Sequence, residues 1–220
     1  MAKPTDFYVG MVAFFAILLP GAVGTLLLMP LLEQAVIGPI LALPPDPAAR
    51  WGAFLIGAYF LGHLMFLIGS YIDPLYGRLR ERWHPYGEDS PYQCATRIKA
   101  GLLKPTEHRG VNTFEWAQAL LTTQWPAAAT EVRGLEAESK FFRSVLVVFG
   151  LGAGTFCARQ QYLAGLVCLV LLVPCFARYY ERRLKSTTQA YVYVVTLYGI
   201  GKLSTSTLAG PRAFEDRDRD

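Results

Sequence analysis

Residues 51–73 read WGAFLIGAYFLGHLMFLIGSYID, and no Lys, Arg, Glu or Asp occurs in this stretch before its final aspartate. An α-helix rises ~1.5 Å per residue, so ~20 apolar residues cross the ~30 Å hydrocarbon core of a bilayer. The stretch is long enough and apolar enough to meet this requirement. It therefore predicts a transmembrane helix.

Three further stretches have the same apolar character, and they lie at residues 7–32, 141–158 and 162–178. Only residues 159–161 separate the last two, and so short a turn predicts an antiparallel helical hairpin. The aromatic pair Tyr179 and Tyr180 follows the last stretch, as is typical of a membrane boundary. Together these features predict an all-α integral membrane protein with four transmembrane helices.

The composition excludes several other classes of protein. Hydrophobic residues make up 53% of the 220-residue chain and charged residues only 17%, which is the wrong balance for a disordered chain or an ordinary cytosolic enzyme. The four cysteines, Cys94, Cys157, Cys168 and Cys175, match neither a zinc site nor a disulfide framework in their spacing. We expect no metal and no cofactor.

Basic residues are distributed in a way that predicts the topology. Of the 21 Lys and Arg residues, ten lie in residues 74–143 and eight from residue 178 onwards, while the N-terminus, the loop after the first span and the hairpin turn carry one each. Because basic loops stay in the cytoplasm, we expect a multi-pass protein of the bacterial plasma (inner) membrane with both termini and the long middle stretch inside. Acidic residues accompany the basic ones in the middle stretch, so no nucleic-acid partner is predicted.

The polar segments are predicted to form a mainly helical cytoplasmic module at residues 74–140 and a helical extension at residues 179–203. Prolines and glycines in residues 74–105 indicate short pieces, whereas helical spacing begins at Thr113 and restarts after Pro126. No helix breaker follows Thr130 before the third span ends, so this helix is expected to continue into the membrane.

Two parts of the C-terminal region differ in character. Residues 190–200 are rich in Tyr and Val, which is compatible with a strand, but their continuity with the preceding helix former favours a helix. Within the tail at residues 204–220, residues 210–220 alternate Arg with Asp or Glu and have no hydrophobic content worth burying. This pattern predicts a disordered tail.

His63 is the clearest candidate for chemistry within a span. It lies about twelve residues into the second span, so ~18 Å from its outer end and near the middle of the bilayer. Ser70 and Asp73 follow on the same broad face of the helix. A buried imidazole can relay protons, act as a general base or bind a metal, but it can equally donate a hydrogen bond across a helix interface, for example to Thr25.

Asp73 is predicted at the cytoplasmic end of its helix, where the helix dipole disfavours a carboxylate and a cation is required. Arg143 and Arg178 are expected at the same depth, with Glu181 beside them. These four residues predict a cluster at the inner membrane surface. It would serve as an ion-pair collar that contacts lipid phosphates, or as a gate or binding site for an anionic ligand.

Three functional hypotheses follow from these residues. The first is a non-enzymatic homo-oligomer whose cytoplasmic helices sense a partner or ligand and act on the transmembrane part, with Gly62 and Gly69 in the contacts between copies and a pore as one outcome. The second is a membrane-embedded enzyme on a lipid-like substrate, with His63 as acid or base. The third is a passive accessory subunit of a membrane complex. All three include membrane lipids as partners.

Overall fold

The structure is a computed structural model that describes residue 14 and residues 16–28, 46–103 and 110–203. These residues form seven helices: α1 (Ala16–Leu28), α2 (Pro47–Gly69), α3 (Asp73–Trp83), α4 (Pro91–Leu102), α5 (Thr113–Gln124), α6 (Pro126–Ala158) and α7 (Tyr162–Gly199). A single 3-10 turn, Ser70–Ile72, joins α2 to α3. No strand occurs in the described ranges, so the all-helical prediction is confirmed there. The predicted tail at residues 204–220 lies outside them.

Three helical stretches are long and apolar enough to cross a membrane. They are Pro47–Trp83, which combines α2, the 3-10 turn and α3 in 37 residues, and the helices α6 and α7 with 33 and 38 residues. The first predicted span, residues 7–32, is described as a helix only over α1, which is shorter than the ~20 residues that a bilayer requires. The chain is therefore compatible with a multi-pass membrane protein, and the fourth span stays a prediction.

Side-chain caps fix where three of the helices begin. Asp46, Ser90 and Asn112 precede α2, α4 and α5, and the side-chain oxygen of each accepts a hydrogen bond from a backbone N–H two or three residues later. Such caps satisfy N–H groups that have no partner within the helix. Pro47 and Pro91 occupy first helical positions, where the missing N–H costs nothing.

The helices α6 and α7 form the expected pair with a three-residue turn between them. Helix α6 ends at Ala158 and α7 begins at Tyr162, as the sequence predicts. Gln160 adopts a left-handed backbone conformation with a φ of 61°, and the N–H of Gln161 donates a hydrogen bond to the carbonyl of Phe156. These contacts reverse the direction of the chain within three residues.

Both long helices are continuous over their whole length. Helix α6 is unbroken from Pro126 to Ala158, so the expected continuation past residue 140 is present. Helix α7 reaches Gly199, which resolves residues 190–199 as helix. Pro174 lies inside α7 without ending it. The helical alternative prevails over the β-branched content because α7 buries Ala190, Val194 and Leu197 at helical spacing.

The described residues divide into two compact units. Unit 1 contains the residues up to Trp83 together with Arg133–Lys185, and unit 2 contains His84–Val132 and the residues from Ser186 onwards. The predicted cytoplasmic ranges 74–140 and 179–203 therefore contribute to both units. These ranges concern position relative to a membrane, which packing within the chain does not measure, so they stay predictions.

In unit 1, α1 and α2 cross with their backbones in direct contact. A Cβ atom added to Gly21 would lie 1.8 Å from the carbonyl oxygen of Ala58, and one added to Gly62 would lie 2.1 Å from that of Ile17. No side chain fits at either position. The core of this unit otherwise centres on α6, whose Leu146, Val147 and Val148 are buried against neighbouring helices.

Unit 2 has its own apolar core, which is built from α4, α5, the first residues of α6 and the last part of α7. Its buried residues are Ala95, Ala117, Leu120, Leu121, Ala128, Ala129, Val132, Ala190, Tyr191, Val194, Leu197 and Leu203. Many of these are alanines, which allow close helix packing. Larger rings, among them Tyr92 and Phe114, pack edge-on against Tyr191.

Candidate functional site

A polar network joins three helices of unit 1. Asp73 is the first residue of α3, Arg143 lies in the middle of α6, and Tyr179 lies in α7. Nη1 of Arg143 is 2.6 Å from Oδ2 of Asp73, and the hydroxyl of Tyr179 donates a hydrogen bond of 2.7 Å to Oδ1 of the same carboxylate. Each oxygen of one carboxylate therefore holds a different helix.

The surroundings make Arg143 dependent on this carboxylate. Its side chain is only 7% exposed, whereas that of Asp73 is 36% exposed. The guanidinium lies over the ring of Phe66 at 4.7 Å, and Gly69 leaves room for its stem. Nε of Arg143 is buried and makes no hydrogen bond with a described residue. Asp73 thus supplies the neutralising charge that a buried guanidinium requires.

The sequence argument assumes that Asp73 lies at the end of its helix, but the helical stretch continues beyond it. Its backbone N–H donates to the carbonyl of Ser70 in the 3-10 turn, and α3 runs on from Asp73 to Trp83. Because the helical stretch continues past Asp73, the unfavourable dipole of a helix C-terminus is not present there, and the dipole argument for a cationic partner is wrong. The pairing with Arg143 has a different cause, which is the burial of the arginine.

Arg178 and Glu181 form a separate pair. Nη1 of Arg178 lies 2.8 Å from Oε2 of Glu181, and both side chains are 54% exposed. Within the described ranges, no hydrogen bond or ion pair connects them to Asp73 or Arg143. The four residues of the predicted cluster therefore form two pairs, because Tyr179, the next residue along α7, takes the inward position.

His63 lies on the exposed face of α2. Its ring packs edge-on against Tyr59 with centroids 4.6 Å apart, and it makes no hydrogen bond or ion pair with any residue that the structure describes. Thr25, the partner suggested by the sequence, donates to the carbonyl of Gly21 in its own helix instead. The enzyme hypothesis, which needs a second polar group beside His63, gains no support from this arrangement.

Ser70 does not link His63 to Asp73. Its hydroxyl donates to the carbonyl of Leu67 at 2.6 Å, within the same helical stretch. Across the described part of the chain, no group of three or more His, Cys, Asp or Glu side chains is placed to hold a metal ion. The polar face expected on this helix thus consists of three residues with three different environments.

Tyr179 is the residue of this network that the sequence analysis misses. The motif with Tyr180 indicates an interfacial ring, yet Tyr179 is fully buried. A signal exists in the spacing of α7, because Gly165, Cys168, Leu172 and Cys175 precede it at intervals of three or four residues. Gly165 and Cys168 are buried, while Leu172 and Cys175 are half-buried. Small or inward residues at this spacing mark the face that contacts other helices, and Tyr179 continues it.

Comparison of the chain with protein-family models, with curated proteins and with solved structures finds no match, so the assignment of a function depends on the geometry alone.

Proposed function

We propose that this chain is a non-enzymatic, multi-pass protein of the bacterial inner membrane. In this proposal unit 2 lies in the cytoplasm, binds a partner or ligand, and passes the effect of binding to the membrane-spanning helices. The observation that carries the proposal is the continuity of α6 and α7. Each contributes apolar length to unit 1 and core residues to unit 2.

The mechanics of a continuous helix support the transmission of a binding effect from unit 2 to the membrane-spanning helices. A continuous α-helix is held by a hydrogen bond from every residue to the fourth one before it, so it shifts or tilts as a body more readily than it stretches. Ordering of unit 2 by a ligand would change the forces on the ends of both helices. The same helices carry Arg143 and Tyr179, whose bonds to Asp73 are broken by a shift of one helical turn, ~5.4 Å.

The proposed protein is a homo-oligomer, but its copies do not meet at Gly62 and Gly69, the residues that the sequence suggests. Gly62 lies against Ile17 and Gly69 against Arg143 of the same chain. Contacts between copies would instead use the exposed apolar face of α7, where Leu163 is 78% and Val173 is 71% exposed. A pore formed between copies is the membrane effect that fits this arrangement.

The coupling is tested by two valine substitutions in α7. Val194 is fully buried in the core of unit 2, whereas Val192, two residues earlier, is 40% exposed. Val194→Ala removes about two methylene equivalents from a packed core, at a cost of about 2 kcal/mol, while Val192→Ala is nearly neutral. Hydrogen–deuterium exchange of the full chain in lipid nanodiscs measures how far each change spreads.

If the two units are coupled, Val194→Ala raises amide exchange in unit 2 and also in the peptides around Arg143 and Tyr179. Val192→Ala should leave amide exchange in both regions unchanged. An increase confined to residues 84–132 and 186–203 would mean that the two units respond independently. That outcome contradicts the proposed route through α6 and α7.

A further inference from the structure

The helical stretch Pro47–Trp83 has an exposed face that changes in character along its length. Residues at intervals of three or four share this face, and all are exposed: Phe60, Leu64, Leu67, Tyr71, Leu75, Arg78 and Arg82. The first three have hydrocarbon side chains, Tyr71 adds a hydroxyl, Leu75 is again aliphatic, and the last two are cationic. This order matches the change from acyl chains to head groups across one leaflet of a bilayer.

The side chains of Arg78 and Arg82 make no ion pair or hydrogen bond in the described part of the chain. Ion pairs with carboxylates are made by Arg80 with Glu81, Lys140 with Glu136, Arg143 with Asp73, Arg178 with Glu181, and Arg182 with Glu138. The lipid contacts that the sequence suggests for Arg143 and Arg178 would compete with these pairs. Two unpaired guanidinium groups one turn apart are left exposed on one face.

We propose that Arg78 and Arg82 bind the phosphate of an anionic phospholipid, with Leu75 and Tyr71 against its glycerol and upper acyl region. The proposal rests on the membrane placement of this helix in the proposed function. Side chains four residues apart on a helix lie ~5–6 Å apart at Cβ, so both can reach one phosphate group. Each guanidinium presents a planar set of donors that fits phosphate oxygens.

The apolar length of the face identifies a lipid and not a water-soluble polyanion. Nucleic acid or an acidic peptide would neutralise Arg78 and Arg82 but would leave Tyr71, which is 80% exposed, and Leu75 in water. A phospholipid covers both parts at once. Its phosphate contacts the arginines while its chains contact the apolar residues of the same face.

The test measures phospholipid binding to the full chain by native mass spectrometry from detergent, with phosphatidylglycerol compared with phosphatidylcholine. Each cation near an anionic membrane surface contributes about a five-fold preference, so Arg78→Gln/Arg82→Gln should lower the preference for phosphatidylglycerol by about 30-fold. The single variants should each lower it about five-fold. Inorganic phosphate at the same concentration should not compete.

A matched control removes two exposed charges from unit 2. Arg97 and Lys202 are both exposed, and Arg97→Gln/Lys202→Gln should change the preference by less than two-fold. If the glutamine variant does not fold, Arg78→Lys/Arg82→Lys keeps the charge while removing the planar donors. It should lower the preference by less than five-fold, and it should bind phosphatidylglycerol better than either single glutamine variant.

The proposal is overturned if the double glutamine variant keeps its preference, if the control loses the preference to the same extent, or if inorganic phosphate displaces the lipid. Its failure is distinguishable from failure of the proposed function. The lipid-site variants at Arg78 and Arg82 change only unit 1, whereas the Val194→Ala experiment reports coupling whatever lipid is bound.

Discussion

Asp73 is the residue on which the arrangement of unit 1 depends most. It is only partly exposed, and it both neutralises the buried Arg143 and accepts the hydrogen bond of the buried Tyr179. Losing one partner of a fully buried ion pair costs about 3–5 kcal/mol, and the partial exposure of Asp73 reduces this to about 2 kcal/mol. The network holds α3, α6 and α7 at one point.

We predict that Asp73→Asn destabilises the chain by about 2 kcal/mol, because the amide can still accept from Tyr179 but cannot neutralise Arg143. Arg143→Met keeps an apolar stem beside Gly69 while removing the charge. The double variant Asp73→Asn/Arg143→Met contains no unpaired buried charge at this site, so it should be more stable than Asp73→Asn alone. Thermal unfolding of the full chain in detergent measures the difference.

Tyr179→Phe serves as the control for the comparison of Asp73→Asn with the double variant. It removes only the hydrogen bond to the charged carboxylate, with an expected cost of about 1.5 kcal/mol, and it leaves the ion pair intact. Additive losses for Asp73→Asn and Arg143→Met in the double variant would show that the two residues do not interact, which contradicts the network.

At the scale of elements, the crossing of α1 and α2 is the most demanding contact. The backbones approach so closely at Gly21 and Gly62 that an added Cβ would overlap a carbonyl oxygen of the other helix. A carbonyl in a helix cannot move aside as a flexible side chain can. Packing of this kind depends on the absence of a side chain and gains its stability from many dispersion contacts.

We predict that Gly62→Ala separates α1 from α2 and lowers the stability of the chain by about 3 kcal/mol or more, because overpacking here displaces backbone. Gly57→Ala in the same helix is the matched control, since an added Cβ there meets nothing within 4 Å. It should be neutral or slightly stabilising, as alanine favours a helix by up to ~1 kcal/mol over glycine. Thermal unfolding in detergent compares the two, and equal effects would contradict the crossing.

At the scale of the whole molecule, the proposed topology predicts which residues face each side of the membrane. Gly87 is exposed before α4, and Gln161 is exposed in the turn between α6 and α7. With the four native cysteines replaced, we predict that Gln161→Cys reacts with a membrane-impermeant maleimide in intact cells. Gly87→Cys should react only after the cells are permeabilised, because basic loops are retained inside.

Labelling of both positions from the outside, or of Gly87→Cys alone, would contradict the topology. The measurement does not depend on the stability of either unit, because each introduced cysteine lies at an exposed position outside the cores. It therefore tests the membrane placement on which the proposed function and the lipid site both depend.

The sequence by itself determined the helical class, the three apolar stretches of membrane length, and the hairpin turn at residues 159–161, since apolar length and breaker residues are local properties of the chain. It also indicated the partnership of Asp73 and Arg143 through their charges, although the dipole argument behind it was wrong. These features need no knowledge of which helices are neighbours.

Only the tertiary structure decided which face of each long helix turns inward. An apolar helix of this kind has hydrophobic side chains on every side, so its periodicity does not distinguish the face that contacts protein from the face that remains exposed. For this reason His63 was expected on an inward polar face but lies exposed, and the inward position of Tyr179 was not anticipated. The inward face follows from where Gly21, Gly62 and Gly69 let a neighbouring helix approach, and that depends on the fold as a whole.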